Sequence, residues 1–468
     1  MKKFIIFCLV AVLLVCCVPV MAEDATPDAS ILQGCNTLDG QIPFLGTGEL
    51  VSNTVSAILY ETNTDTLMYA HNADQQISPA SLVKILTALV AIEKGKMDDV
   101  VTVHEEVLST LDSNAAVVGL AIDEVVTVQD LLYCMMVSSG NDAAVVLADH
   151  VMGSQEAFVA EMNRYAQELG CTATQFTNVH GLYDKEQYTT ARDIARILAK
   201  AVENEAFRDA FGAVYYTVEP TNKADVRYLS TENYMMNDDM DVNYYDTRVK
   251  GSRTGVNNDY TRNVASLAEV EDMRLVSVVI GAKSQYMEDG YTTKVFGGYG
   301  ETKQLLDLGF NGYRTAQILH PDQVLKQVSV VNGDCDLTIG TRSGASCVLP
   351  SNLGENDLVY RFADESGFTA PIQNGQVLPM LQVWYGSVCI AQSETYAMNG
   401  VATAGTVFSG DTTTVKDTNF WTVFLYVVGS VLILALLIFA VLFGMRTLHI
   451  TKRKRQSRRH SRNRRRSR

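Results

Sequence analysis

Six consecutive residues, Leu275-Val-Ser-Val-Val-Ile280, lie inside the run Arg274 to Ala282 with one small polar side chain and no turn residue among them. A strand with one wet face alternates apolar and polar residues, so an uninterrupted run of this length reads as a central strand covered on both sides. It commits the chain to a sheet enclosed by other elements. Phe211 to Val218, Val249 to Val256 and Asn263 to Ala268 read as further strands, and a closing helix runs from about Gly300 to Leu308. Upstream, Ser56 to Tyr60 and Leu67 to Ala70 flank the turn Thr62-Asn-Thr-Asp65 as a β-hairpin. Between hairpin and strands come short pieces from Asp98 to Val128, helices from Val128 to Val151 broken around Ser139-Gly140-Asn141, and amphipathic helices over Gln155–Leu169 and Thr190–Val202. Strands, a helical block, more strands and a helix imply an α+β domain, an antiparallel sheet with helices on its faces.

The first helix of that block carries the chemistry. In Ile77 to Val90, Ser78 or its neighbour is placed to cap, Pro79 suits the first turn, and Leu82, Ile85, Leu86 and Leu89 form an apolar stripe. Ser81 and Lys84 then share a face one turn apart. A helix N-terminus disfavours an ammonium, so Lys84 is biased towards the neutral base that a serine nucleophile needs. By itself the pair reads equally well as a capping serine and a solvated lysine.

The flanks set the compartment. Lys2 and Lys3 precede the apolar run Phe4 to Val18, and Val20-Met-Ala22 is a small-residue exit, so residues 1–22 read as a secretory signal; Cys16 and Cys17 leave lipidation as an alternative. A polar leader follows over 23–42. At the other end, Phe420 to Met445 is 26 residues without a charge, enough at helical rise to cross a bilayer. Residues 446–468 hold twelve Lys or Arg and no acid, which places that tail in the cytoplasm, near anionic lipid, and the rest outside.

Net charge is −15, from 38 basic and 53 acidic residues; without the tail's +12 it is −27, which argues against nucleic acid as a partner. Six cysteines lie beyond the signal, Cys35, Cys134, Cys171, Cys335, Cys347 and Cys389, too few for a disulfide scaffold. Cys335 and Cys347 are placed to staple a hairpin, with free thiols as the default. From Tyr313 the chain turns to short β-rich runs, Val324–Val331, Asp336–Ile339 and Leu381–Ile390, which read as a small all-β domain over 313–398. A Gly/Thr-rich linker over 399–419 leads to the membrane span. There is no His-Glu-x-x-His, paired Cys-x-x-Cys, P-loop, dinucleotide fingerprint or Gly-x-Ser-x-Gly, so neither metal nor cofactor is expected.

Three short signals occur in order: Ser81-Leu-Val-Lys84, Ser139-Gly-Asn141 and Arg253-Thr-Gly255. Ser-x-x-Lys, Ser-x-Asn and Lys-Thr-Gly together mark penicillin-binding proteins and β-lactamases. With Pro79 to Leu89, Ser139 to Ala143, Phe176-Thr-Asn-Val-His-Gly-Leu182, Tyr188-Thr-Thr-Ala191 and Leu305 to Phe310, the region 43–312 resembles the serine D-alanyl-D-alanine carboxypeptidases, low-molecular-mass penicillin-binding proteins of the DD-peptidase/β-lactamase superfamily. The resemblance implies hydrolysis of the terminal D-Ala-D-Ala bond of peptidoglycan stem peptides through an acyl-enzyme on Ser81, with β-lactams as inhibitors. It implies that Lys84 is the base, Ser139 a proton relay, Asn141 a contact to peptide and Lys84, and Arg253, Thr254 and Gly255 the strand that holds the terminal carboxylate. The backbone N–H groups of Ser81 and Val256 would form the oxyanion site, and His180 and Asn178 would be structural. Two departures stand out. Arg253 replaces the usual lysine, whose point contact with Ser139 a guanidinium is not expected to reproduce, and Glu232 stands where some relatives carry an arginine. A β-lactamase, or a weakly active or non-catalytic penicillin-binding wall protein, remains as an alternative.

Overall fold

The computed structural model describes Leu38 and residues 53–405, apart from 240–242, 258–259, 287–292, 355–356 and 364–366. The hairpin comes first, as β1 (Ser56–Glu61) and β2 (Thr66–His71), followed by helix α1 (Val83–Lys94). A small pair, β3 (Val100–Thr102) and β4 (Val125–Thr127), encloses α2 (Glu105–Leu108). The helical block continues as α3 (Val128–Val137), α4 (Asn141–Met152), α5 (Gln155–Glu168), α6 (Ala191–Ala201) and α7 (Glu205–Gly212). Thr127, Ser154, Thr190 and Asn204 each accept a backbone N–H at the start of one of these helices, so local chemistry sets four of the boundaries. Then come β5 (Tyr215–Val218), β6 (Arg227–Ser230), the long strands β7 (Val249–Val256), β8 (Thr261–Val270) and β9 (Met273–Lys283), the short β10 (Gln285–Tyr286) and β11 (Thr293–Val295), and helix α8 (Tyr299–Gly312).

The main sheet is antiparallel in the order β2-β1-β9-β8-β7, so the apolar run lies in the middle strand. Its residues alternate between two cores, as a doubly covered strand requires. Val276, Val278 and Ile280 face the helical block, while Leu275 and Val279 face Tyr299, Leu305 and Leu306 of α8. Helix α1 runs through the first core with every residue from Val83 to Ala91 buried, a helix apolar all round because protein surrounds it. At one edge lies β7, with no strand beyond it among the described residues.

One expected strand is in part a helix. Phe207, Ala210 and Phe211 recur at helical spacing after the Asn204 cap, so Phe211 belongs to α7 and the strand starts at Tyr215. Beyond α8 seven strands follow among the described residues: β12 (Tyr313–Leu319) pairs with β15 (Ala345–Pro350), and β13 (Val324–Val328), β14 (Leu337–Thr341), β16 (Val359–Phe362), β17 (Val377–Tyr385) and β18 (Val388–Ala397) make a sheet ordered β13-β14-β18-β17-β16. The run Leu381–Ile390 is therefore not one strand but a hairpin, reversed at Gly386 with φ +55°.

The expected linker begins too early. Ile372 pairs with Val401, which is buried, and Ala402 exchanges bonds with Asp334 at 2.8 and 2.9 Å, so 399–402 still belong to the β-rich part. No disulfide joins Cys335 to Cys347, and none joins Cys134, Cys171 or Cys389 to another cysteine among the described residues. Among the described residues no helix is long and apolar enough to cross a membrane. The signal at 1–22, the leader apart from Leu38, Cys35, the linker past 405, the span at 420–445 and the tail at 446–468 all lie outside them.

A buried ion pair ties the segment ahead of α3 to β6. Glu124, with a fully buried side chain, accepts from Arg227 at 2.6 and 2.8 Å and from Thr221 and the Ala121 N–H, and Arg227 also donates to the Gly119 carbonyl. Removing one partner strands the other charge. Arg227→Ala is expected to cost about 3–5 kcal/mol in denaturant unfolding, against much less for the double change Glu124→Leu/Arg227→Met.

Candidate active site

Ser81 lies in a 3-10 turn, Ala80–Leu82, that leads into α1. No side chain caps this start, so the capping expected of Ser78 is not what shapes it. Three contacts hold the turn instead. Ala80 takes the left-handed φ of +48°, costly for a residue with a Cβ and sustained only when the surroundings impose it. Asn263, fully buried on β8, donates to the carbonyls of Ser78 and Pro79 at 3.0 and 3.1 Å and accepts from Gly281 N–H. Two glycines press in from either side: a Cβ on Gly255 would stand 2.6 Å from the Ser81 nitrogen, and one on Gly181 would stand 2.1 Å from the Ala80 oxygen. Gly181 has φ +87°, and Asn178 ties its loop by accepting from His180 and Gly181 N–H.

Lys84 follows one turn later and is completely buried. Its amine is 2.6 Å from Asn141 Oδ1, 3.2 Å from Ser139 Oγ and 3.4 Å from Ser81 Oγ. Ser139 sits in the break between α3 and α4 with φ +59°, which turns its hydroxyl back to within 3.5 Å of Ser81 Oγ. Asn141 opens α4. The next residue, Asp142, escaped the sequence reading: its carboxylate accepts from the N–H groups of Val118, Gly119 and Leu120 at 2.9–3.0 Å and so fastens the 116–120 segment beside the site. An acid in the first turn of a helix was the available signal.

The third motif divides between the two faces of β7. Arg253 and Gly255 point towards Ser81, while Thr254 and Val256 point away, Val256 at the exposed end of the strand. Arg253 does not present its fork to solvent as expected of a carboxylate clamp. One Nη donates to the Met136 carbonyl at 2.7 Å and the other to Ser139 Oγ at 2.6 Å, while Nε is buried without a partner. A guanidinium thus makes the contact with Ser139 that only an ammonium was expected to make. Glu232, the second departure, is exposed.

Burial drives Lys84 well below the usual lysine pKa, the Arg253 charge pushes the same way, and Asp142 pulls back. Burial also lowers Arg253 to about 10. His180 is lowered to about 4, by burial first and then by Lys84, and its Nδ1 accepts from Leu182 N–H. A neutral amine so placed directs its protons at Asn141 and Ser139 and keeps its lone pair for the Ser81 hydroxyl. Among the described residues no three His, Cys, Asp or Glu side chains group as metal ligands.

Residues 48–284 match the family model described as D-alanyl-D-alanine carboxypeptidase. The D-alanyl-D-alanine carboxypeptidase DacC of Escherichia coli (strain K12) is 31% identical over 360 residues, 74% of this chain and 84% of that protein. The chain belongs to the D-alanyl-D-alanine carboxypeptidase family. Bacillus subtilis (strain 168) DacF is 30% identical over 77% of this chain and 88% of its own length. Among solved structures, penicillin binding protein 5 from Haemophilus influenzae superposes with a TM-score of 0.58 at 28% identity, covering 75% of this chain and 98% of that one. DacD from Francisella tularensis gives 0.61 at 21% identity, covering 81% of this chain and all of its own, a likeness of fold.

Two outcomes are expected of this carboxypeptidase site. Gly181→Ala forces the Ala80–Ser81 turn aside, so acylation should fall by orders of magnitude while far-UV circular dichroism is retained. The acid limb of kcat/KM should follow Lys84: activity is present while the amine is neutral and is lost as pH falls through its lowered pKa. Arg253→Gln removes one of the two effects that lower it, so in a pH series from 4 to 9 the limb should move to higher pH, whatever the loss in amplitude.

Proposed function

We propose that the chain is a serine D-Ala-D-Ala carboxypeptidase that trims the terminal D-Ala from peptidoglycan stem peptides, with the β-lactams as its inhibitors. The observation that carries the residue roles is the convergence of Ser81, Ser139 and Asn141 on one buried amine whose pKa that burial lowers. Ser81 Oγ attacks the penultimate D-Ala carbonyl as its proton passes to Lys84 Nζ. The oxyanion is met by the N–H groups of Ser81 and Val256 at the junction of the 3-10 turn and the end of β7. Asn141 holds the peptide amide, and Lys84, through Ser139, returns the proton to the departing amine as the C–N bond breaks. Water, deprotonated by Lys84, then hydrolyses the ester and frees the shortened peptide.

The reading extends to organisation. The domain over 43–312 acts outside the membrane, the β-rich part over 313–398 serves as a spacer or docking unit, and the signal, span and basic tail give a single-pass anchor with its C-terminus in the cytoplasm. The acidic exported portion suits a wall substrate better than a nucleic acid.

The inward turn of Arg253 favours one alternative, a penicillin-binding protein that acylates but turns over weakly. D-Ala release from a diacyl-Lys-D-Ala-D-Ala peptide separates the readings. The carboxypeptidase releases D-Ala, is labelled by a fluorescent penicillin, and loses both properties in Ser81→Ala. Labelling without release would establish the weak alternative, and rapid multiple turnover of a chromogenic cephalosporin would establish a β-lactamase.

A further inference from the structure

We propose that Asn263 on β8 is the positioning residue of the oxyanion site: its side-chain amide joins the turn that carries the Ser81 N–H to the strand end that carries the Val256 N–H, and so sets the separation of the two donors. The proposal rests on the carboxypeptidase reading above and deepens it by naming what holds the donors in place.

Local structure leaves each donor free. Ser81 stands in the first turn of a helix, where a backbone N–H has no acceptor within the helix. The N–H of Asn257 donates to the Thr261 carbonyl at 2.9 Å across the β7–β8 turn. Successive N–H groups of a strand leave by opposite sides, so that of Val256 is directed to the edge that no strand covers among the described residues. Free donors are not held by bonds of their own, so the gap between them is set by whatever ties the two segments together.

Asn263 is that tie. It lies directly opposite Gly255 on β7, the glycine whose missing Cβ lets the Ser81 nitrogen approach. Its Nδ2 donates to two carbonyls, Ser78 at 3.0 Å and Pro79 at 3.1 Å. Its Oδ1 accepts from the Gly281 N–H at 2.9 Å and from Asn257 Nδ2 at 3.2 Å. An asparagine amide offers two donor and two acceptor positions, so this one is saturated, and a flip would set its oxygen against two carbonyls. Asn257 follows Val256 directly, while Ser78 and Pro79 lead into the Ser81 turn, so one planar group spans both halves of the oxyanion site. The sheet is irregular at this point. Arg262 pairs with Ala282 but Val264 with Val279, which leaves one extra residue on β9 opposite Asn263, and Gly281 takes φ +70° there. A bulge re-aims groups beside a site, and here it turns the Gly281 N–H onto the amide. A fully buried amide with every hydrogen-bonding position used is rigid, as a fixed separation requires.

The test uses the full chain in detergent, as wild type, Asn263→Asp, Asn263→Ala and Asn257→Ala, with thermal unfolding of each and active sites counted by penicillin labelling carried to its end point. Turnover of diacetyl-Lys-D-Ala-D-Ala is set beside inhibition by a peptidyl boronic acid, whose tetrahedral adduct on a serine places an oxygen between the oxyanion donors. Loss of one such donor lowers kcat by roughly a hundred- to a thousandfold. Both Asn263 variants are expected to lose kcat per labelled site on that scale with KM little changed, and to weaken the boronate by the same factor. Asn257→Ala, which removes one of the four bonds, should show the same signature to a smaller extent. A purely structural role would reduce the number of active sites and leave kcat per site intact, and that result overturns the proposal, as does a loss confined to KM with boronate binding unchanged. If both Asn263 variants melt too early to assay, wild-type kcat and boronate affinity in Asn257→Ala overturn it instead. A wild type that neither releases D-Ala nor takes a penicillin label overturns the carboxypeptidase reading itself, whereas an active wild type indifferent to Asn263 overturns only this assignment.

Discussion

The site depends on keeping the Lys84 amine out of water. Burial disfavours its charged form, the Arg253 charge deepens that effect, and the Asp142 carboxylate opposes it. The sign of the cost follows from linkage. Between the lowered pKa of the folded chain and the ordinary lysine pKa the unfolded chain binds a proton at Lys84 that the folded chain does not, so stability rises with pH across that window and is held down at neutral pH. The apolar core around α1 offsets that deficit, with nine consecutive buried residues of one helix in it. A helix this completely enclosed would be wasteful as a mere scaffold, but it is what a neutral lysine requires.

Position is enforced as strictly as charge. A nucleophile whose turn begins with a left-handed alanine would relax if it were only loosely covered. It is covered by backbone, with Gly255 and Gly181 approaching so closely that neither admits a Cβ, and by Asn263 gripping the two preceding carbonyls. The sheet and the 176–182 loop thus act as two jaws on one turn. The central strand matters to this indirectly: β9 supports β8, and β8 carries Asn263 and aligns β7.

Much of this was legible in the sequence, and what was not follows a pattern. The run Leu275 to Ile280 announced a covered central strand because periodicity reports directly on burial, and the ordered motifs placed Ser81, Lys84, Ser139 and Asn141 together before any coordinates did. Nothing in the one-dimensional pattern shows that Ala80 is left-handed, since that conformation favours glycine, asparagine or aspartate over alanine. Asn263 looked like an ordinary strand position because its partners lie 184 and 185 residues away. Phe211 was drawn into a strand by the apolar residues after it, although Asn204 had already signalled a helix start. The direction of Arg253 was unreadable for a different reason: sequence gives the charge and the strand, but the neighbouring Met136 carbonyl and Ser139 hydroxyl decide which way the side chain turns.

That direction has a consequence for how a strand can serve a reaction. Successive side chains on β7 leave by opposite faces, so a side chain locked towards Lys84 does not also turn outwards to meet the substrate's anion. A lysine in the third motif, a flexible point charge with rotatable donors, can compromise between the two tasks. An arginine bonded at both Nη groups cannot, and it does not lose its proton in the range where the enzyme works. Fixing Arg253 inward therefore separates electrostatic tuning of the base from recognition of the substrate's charge.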